Sequence, residues 1–183
     1  MAPPWGKFLP LPTFVAIDFE TADSGRDSAC SVGLARVEAG RIVGREHRLI
    51  RPPRKTFQFT HVHGLTWDDV REAPPFGEVW AGLLPILAGA EFLAAHHAPF
   101  DRSVLSACCA AAGLAPPELP FRCTVRIARA AWRLFPTRLP DVCRWLDIPL
   151  RHHDAMSDAE ACARIVIAAE AAVRPGATAS RTA

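Results

Sequence analysis

The segment VAIDFETAD, residues 15–23, constrains the fold most, because an apolar run ends in two acids that are one residue apart. Its apolar part has the length and composition of a buried β-strand. Side chains alternate along a strand, so Asp18 and Glu20 are expected to project from the same face. Asp and Thr are also ordinary turn residues, and a simple polar strand end is the competing interpretation. The other motifs of the chain distinguish between a functional pair of acids and a simple polar strand end.

The composition is that of a folded globular protein with no strong electrostatic preference. Half of the 183 residues are hydrophobic and the net charge is +2, so charge alone does not indicate a nucleic-acid partner. The six cysteines form no CxxC pair and no regular spacing, which favours buried thiols in a reducing compartment. Neither a signal peptide nor a membrane span is recognisable. We therefore predict a cytoplasmic location and no membrane association.

The order of predicted elements indicates one α/β domain at 13–173, between a Pro-rich lead at 1–12 and a tail at 174–183. The tail has nothing to bury and is predicted to be disordered. Strands are predicted at 13–19, in a hairpin with its turn at 38–40, at 91–97 and at 121–124, with a loop at 52–66. Helices are predicted at 75–88, 99–113, 125–133, 139–146 and 155–173. This order gives a mixed sheet covered by helices, which binds ligands at the carboxyl ends of its strands.

Further acids occur close to the predicted strand ends, and each has a simple structural explanation. Asp101 opens the helix at 99–113, where it would complement the helix dipole by ~0.3–1 kcal/mol. Asp141 is interpreted in the same way. Asp158 lies near the start of the last helix, where Asp154 fits an N-cap and residues 157–160 fit a capping box. The segment HHDAMSDAE nevertheless holds more acids and histidines than a cap requires.

Taken together, Asp18, Glu20, Asp101 and Asp158 would place four carboxylates at one edge of the sheet. Like charges at close range raise one another's pKa unless cations neutralise them. Oxygen ligands suit Mg²⁺ or Mn²⁺, and two such ions can stabilise the attacking and leaving oxygens of a phosphodiester displacement. His153 would supply a group able to take a proton from water near neutral pH.

Three motifs resemble those of the DEDDh 3′→5′ exonuclease family. They are DFET at 18–21, AHHAPFDRSVL around Asp101, and HDAMSDA at 153–159. The similarity runs from about residue 13 to 173 and is greatest to the epsilon-type proofreading subunits of bacterial DNA polymerase III. The resemblance implies a ribonuclease H-like fold, a five-stranded mixed sheet flanked by helices. It also implies that the four acids hold two divalent ions and that His153 is the general base, so that nucleoside 5′-monophosphates leave a 3′ end.

The resemblance also implies substrate contacts. Thr21 and Ala22 match positions that contact the terminal nucleotide, and residues 63–65 match a segment that packs against the terminal bases. In that segment His63 is a substrate-binding candidate and Leu65 a candidate apolar wedge. His97 stands where the family often has Asn, and we expect it to hydrogen-bond to the substrate. His152 is expected to be a solvated neighbour of His153, and His96 and His97 are not expected to form a zinc pair, because adjacent strand residues face opposite ways.

Several functional alternatives remain open from the sequence. The leading hypothesis is a proofreading or repair exonuclease acting on single-stranded DNA, with a DNA polymerase as a possible partner. An RNA exonuclease is the nearest alternative, because no residue that reads the 2′-hydroxyl is recognisable. A catalytically silent nucleic-acid-binding module is the alternative from another class. The short tail after the last helix suggests either a free-standing enzyme or one that is recruited through another surface.

Overall fold

A computed structural model describes residues 11–173, which form a five-stranded mixed sheet with helices on both faces. The strands run in the spatial order β3-β2-β1-β4-β5. The first three strands pair antiparallel, and β1, β4 and β5 pair parallel. The predicted fold class is confirmed. The strands are β1 (Phe14–Thr21), β2 (Ala29–Glu38), β3 (Arg41–Leu49), β4 (Leu93–Ala95) and β5 (Phe121–Cys123).

Seven α-helices connect or cover the strands in residues 11–173. They are α1 (Thr60–His63), α2 (Trp67–Val70), α3 (Phe76–Leu83), α4 (Pro99–Ala111), α5 (Thr124–Trp132), α6 (Leu139–Leu146) and α7 (Ala155–Val173), and a 3₁₀ turn at Leu84–Leu87 extends α3. The prediction of a continuous loop at 52–66 is wrong, because α1 lies within it. The predicted tail, and the Pro-rich lead apart from residues 11 and 12, lie outside the described residues.

The two faces of β1 bury different halves of the core. Val15, Ile17 and Phe19 pack in the cluster that contains the apolar side chains of α3 and α4. Phe14 and Ala16 pack in the cluster formed with α5, α6 and α7. This strict alternation assigns the even-numbered side chains of β1 to the face that α7 covers.

Two further sequence expectations can be checked against the fold. All six cysteines are free, and five of them are buried. Asp141 lies in the first turn of α6 and pairs with Arg138 and Arg144 on the surface, in agreement with its structural interpretation. None of the helices within residues 11–173 combines the length and the apolar character needed to cross a membrane.

Candidate active site

The acids of β1 share a face with an acid of α7. Asp18 and Glu20 continue the even-numbered series of β1, and the first turn of α7 contains Asp158. One carboxylate oxygen from each of these three residues lies within 4.8 Å of the others. The structure therefore brings together side chains that are up to 140 positions apart in the chain, since residues 18 and 158 both contribute.

Gly33 allows α7 to come this close to the sheet. It lies directly across from Asp18 in the β1–β2 register. A Cβ atom at Gly33 would overlap the backbone carbonyl of Ala155 and the Cα atom of Met156, which open α7. A side chain at position 33 would therefore push the start of α7, and Asp158 with it, away from Asp18. The sequence analysis missed this residue, although a glycine inside a strand is a known sign of close backbone approach.

Asp101 lies in the first turn of α4 and lines the same cavity as the other three acids. Its side chain is almost completely buried, and its Oδ1 accepts a hydrogen bond of 3.2 Å from the backbone N–H of Phe19. Phe19 lies between Asp18 and Glu20 on β1. A residue that only complemented a helix dipole would not need burial against this strand, so its dipole interpretation is insufficient.

The four carboxylates repel one another, and the side chains of Glu20, Asp101 and Asp158 are buried. Burial, followed by the charges of Asp158 and Asp101, raises the pKa of Glu20 to about 8. Burial is also the main reason why the pKa of Asp18 lies well above its usual range, with Asp101 as the largest charged contributor. The pKa values of Asp101 and Asp158 are raised by burial as well. Carboxylates held in this state favour either protons or cations.

The donor atoms present fit divalent cations. Oδ2 of Asp158 accepts hydrogen bonds from Nδ1 of His152 at 2.8 Å and from the backbone N–H of His153 at 3.1 Å. Its Oδ1 is buried and has no hydrogen-bond partner. A buried carboxylate oxygen without a partner is costly, and a cation would satisfy it. Carboxylate oxygens are the ligands that Mg²⁺ and Mn²⁺ prefer.

His153 is placed beside the acids by an unusual backbone conformation. Its φ of 68° lies in the left-handed region, just before α7 begins. Its ring stacks on that of His152, with 3.8 Å between the centroids. Burial, followed by the neighbouring His152, lowers the pKa of His153, so its imidazole is mainly neutral at neutral pH. His152 is an exposed neighbour of His153, as expected, and its ring also binds Asp158, which the sequence did not indicate.

The acids form part of the wall of an open cavity of about 720 Å³. This volume falls in the range of small-molecule and cofactor sites. Thr21, His63 and His97 also line it, as do His153 and the four acids. The ring of His63 is fixed at both nitrogens: Nε2–H donates to the carbonyl of Thr21 at 3.1 Å, and Nδ1 accepts from the backbone N–H of Leu65 at 3.1 Å.

Two of the substrate-binding candidates do not line the cavity. Leu65 packs beside a small buried cluster that contains Ala22, Cys30 and Val70. The backbone N–H of Ala22 donates to the carbonyl of Ser28 at 2.8 Å, and its own carbonyl accepts from Gln58. In this conformation Ala22 and Leu65 lie behind the cavity-lining residues Thr21 and His63. Their contact with a nucleotide stays a prediction.

The histidine pair before α4 does not lie in a strand. β4 ends at Ala95, and His97 adopts a left-handed φ of 62°. The argument from strand alternation was therefore wrong, although the conclusion that the two residues do not pair stands on other contacts. His96 is bound to Oγ1 of Thr124 at 2.8 Å and to the carbonyl of Thr137 at 3.0 Å.

A comparison with protein families decides what kind of protein carries this site. The family model RNase_T, described as "Exonuclease", matches residues 15–166. The chain belongs to this exonuclease family. The match contains all four acids and His153, and it confirms the recognition made from the three motifs.

The exonuclease is similar to bacterial proteins with names from DNA metabolism. It is 29% identical over 159 residues to "DNA polymerase III PolC-type" of Thermotoga maritima, covering 85% of this chain and 12% of that protein. It is 31% identical over 151 residues to "Exodeoxyribonuclease 10" of Escherichia coli K12, covering 74% of this chain and 60% of that protein. The chain thus spans less than two thirds of the length of either relative.

Solved structures share the fold of the exonuclease. "Exonuclease X in complex with 5′ overhanging duplex DNA" superposes with a TM-score of 0.68 at 24% identity, covering 85% of this chain and 90% of that one. The nuclease domain of 3′hExo, titled "a DEDDh family member, bound to rAMP", superposes with a TM-score of 0.73 at 18% identity, again covering 85% and 90%.

Proposed function

We propose that this protein is a metal-dependent 3′→5′ exonuclease that removes nucleoside 5′-monophosphates from single-stranded DNA. The observation that carries the proposal is the convergence of Asp18, Glu20 and Asp158 within 4.8 Å, with Asp101 buried beside them. A purely structural role would pair these charges with arginine or lysine, whereas the groups that lower the pKa of Asp158 are His152 and His153.

Asp18, Glu20, Asp101 and Asp158 would hold two divalent cations, either Mg²⁺ or Mn²⁺. When bound, such ions neutralise the carboxylates and stabilise the charge that develops on the phosphodiester oxygens. The negative charge of the acids would repel a phosphate, so it must be balanced before the substrate enters the cavity. The unpartnered oxygen of Asp158 supports a direct role in ligation.

His153 would take the proton from the attacking water. Its lowered pKa keeps the imidazole neutral and able to accept a proton at neutral pH. Its backbone N–H is held by Asp158, and its ring stacks on His152, so its position is fixed from two sides. Thr21, His63 and His97 would contact the terminal nucleotide from the cavity wall, with Ala22 and Leu65 supporting them.

DNA is the proposed substrate because the two curated relatives carry names of DNA enzymes. The relation to a polymerase III protein also supports a proofreading role beside a DNA polymerase, and "Exodeoxyribonuclease 10" supports a role in repair. An RNA exonuclease is the second candidate, favoured by the structural neighbour that is titled as bound to rAMP. The free cysteines support the proposed cytoplasmic location.

A labelled-strand assay tests direction, substrate and metal together. Single-stranded DNA and RNA of the same sequence, labelled at the 5′ end, are incubated with Mg²⁺, with Mn²⁺ or with EDTA. We expect a ladder that shortens from the 3′ end, faster on DNA, with mononucleotide 5′-phosphates as the product and no reaction in EDTA. Circular single-stranded DNA serves as the control substrate and should persist.

Three results would contradict parts of the proposal separately. Release of the 5′ label as a mononucleotide would reverse the direction. Faster shortening of RNA would make the second candidate the function. Binding of either strand without any shortening in Mg²⁺ or Mn²⁺ would identify a silent nucleic-acid-binding module.

A further inference from the structure

Phe135 is an aromatic side chain that the core does not use. It lies in the loop between α5 and α6, residues 133–138, and its exposed fraction is 88%, far above the 37% of Trp145. A single exposed apolar residue is ordinary on a protein surface. Phe135, however, lines the same cavity as the four acids. Its ring is thus exposed in a cavity in which Glu20, Asp101 and Asp158 are buried.

The loop that carries Phe135 is fixed to the active site by Thr137. The carbonyl of Thr137 accepts a hydrogen bond from Nε2–H of His96 at 3.0 Å, and its hydroxyl accepts one from Nε–H of Arg129 at 3.0 Å. His96 in turn accepts a hydrogen bond at Nδ1 from the hydroxyl of Thr124 at 2.8 Å. These bonds connect the loop to the end of β4 and to the start of α5. Phe135 therefore keeps a defined position relative to the acids.

Cationic side chains line the same cavity as the exposed ring. Arg129 and Arg138 line the cavity together with Phe135, and Arg133 lies two residues before it. All three arginines are exposed. Arg138 is also paired with Asp141, on the face that begins α6. An exposed aromatic ring among arginines is the arrangement that binds single-stranded nucleic acid, because bases stack on the ring and phosphates pair with guanidinium groups.

We propose that Phe135 is a stacking platform for a base of the incoming single strand, upstream of the nucleotide that is removed. The inference deepens the proposed function and rests on it. The acids mark the position of the scissile phosphate in the buried part of the cavity, whereas the ring is exposed. Every base has an aromatic face, so this contact strengthens the binding of longer strands without reading their sequence. The site therefore favours unpaired strands, whose bases are free to stack.

Kinetics of Phe135 variants test the stacking contact. We expect Phe135→Ala to raise KM for single-stranded DNA about 5- to 160-fold, the range that alanine substitution of stacking residues produces. The turnover number should change less than about twofold, because Phe135 is distant from the bond that breaks. Phe135→Trp should restore KM and Phe135→Leu should not. The ring packs against little in the free protein, so the unfolding midpoint should not move. Val43→Ala, at an exposed residue of β3, is the matched control.

Abasic nucleotides locate the contact on the strand. A strand with one abasic residue is prepared for each of the positions next to the 3′ terminus. At one upstream position the missing base should raise KM for the wild-type enzyme, and it should have no further effect on Phe135→Ala, because the same contact is already lost. If an abasic residue raises KM by the same factor in the wild type and in Phe135→Ala at every position, Phe135 contacts no base.

Failure of this inference and failure of the proposed function give different results. An active enzyme whose KM is unchanged by Phe135→Ala overturns the stacking platform and leaves the exonuclease intact. If the wild-type protein cleaves nothing, fluorescence anisotropy with a labelled single strand in EDTA decides. Weaker binding by Phe135→Ala than by Phe135→Trp then supports the platform, and equal binding overturns it.

Discussion

Two groups of acids lie on either side of Thr21, and their electrostatics are opposite. Asp23 and Asp27 both bind the guanidinium group of Arg54, at distances from 2.6 to 3.1 Å. Hydrogen bonds from Arg54 lower the pKa values of both. Asp18 and Glu20, a few residues earlier, have raised pKa values. The first group finds its cation within the chain, whereas the second, under the proposed function, takes its cations from solution.

Removing one charge from each group should give the largest difference in turnover between two variants. Asp18→Asn should lower turnover on single-stranded DNA about 10³-fold or more, because a ligand to the cations stabilises the transition state by several kcal/mol. Asp27→Asn should leave turnover within about twofold. The comparison is made with equal concentrations of folded protein.

For stability the order of the two variants should be reversed: Asp27→Asn should be destabilised and Asp18→Asn should not. Asp18→Asn removes a repelling charge, so its unfolding midpoint in EDTA should equal or exceed that of the wild type. Asp27→Asn loses a pair with the partly exposed Arg54 and should lose about 0.2–1 kcal/mol. An Asp18→Asn protein that is fully active would remove this residue from the site.

His153→Ala should lower turnover about 10²- to 10⁴-fold, the usual contribution of a general base. The metal-dependent stability of the protein should remain, since the acids are intact. His47→Ala, at an exposed histidine of β3 far along the chain from the motifs, is the control. Wild-type turnover in His153→Ala would show that another group accepts the proton.

Substitution of two strand glycines, Gly33 and Gly44, distinguishes the close approach of α7 to the sheet from the general effect of replacing a glycine in a strand. Gly33→Ala should lower turnover about 10- to 100-fold, because it displaces the start of α7 and the carboxylate of Asp158. It should also destabilise the fold by about 1–3 kcal/mol through overpacking. At Gly44 a Cβ atom would meet only ordinary contacts, the nearest at 3.5 Å, so Gly44→Ala should change neither quantity strongly. Equal effects of both substitutions would argue against a special role for Gly33.

The pH dependence of stability should differ between the metal-free and metal-bound protein. In EDTA the folded protein keeps protons on Glu20 up to about pH 8, whereas the unfolded chain releases them above about pH 4. The unfolded state then binds fewer protons, so the unfolding midpoint should fall as pH rises from about 5 to 8. Mg²⁺ should remove this fall, with its largest stabilisation at the upper end of that range.

Below about pH 5, the pH dependence of stability reports on the ion pairs of Arg54 with Asp23 and Asp27. Asp23 and Asp27 have lowered pKa values, so their contribution is present above about pH 4 and is lost as pH falls below it. Arg54→Ala should weaken this acid-side dependence and leave the dependence between about pH 5 and 8 in place. Thermal melts in EDTA across this range check both limbs, and a flat curve in EDTA would contradict the raised pKa values.

The regular elements were predictable because their signals are local. The bounds of α6 and α7 match the predicted 139–146 and 155–173, since Pro140 and Asp154 mark their starts and apolar periodicity runs through both. α1 and α2 have four residues each, too few for a helical period to be visible. Short helices of this kind are set by contacts with the rest of the fold.

The acids of the site were predictable as a group, and their surroundings were not. Strand parity alone puts Asp18 and Glu20 on one face. Neither the contact of His152 with Asp158 nor the left-handed backbone of His153 is encoded by a local sequence pattern. The role of Gly33 likewise depends on where α7 packs against the sheet, which the local sequence does not indicate. The position of Phe135 depends on the hydrogen bonds of Thr137 to residues far away in sequence.

Titration of the metal-free protein with Mn²⁺ tests most directly whether these acids exist to hold cations. Bound Mn²⁺ is counted by electron paramagnetic resonance at about pH 7, and released protons are measured in parallel. We expect two bound ions per chain, with proton release because Glu20 must lose its proton, and loss of tight binding in Asp18→Asn but not in Asp27→Asn. Wild-type protein that binds no Mn²⁺, or that binds it equally well after Asp18→Asn, would contradict the assignment.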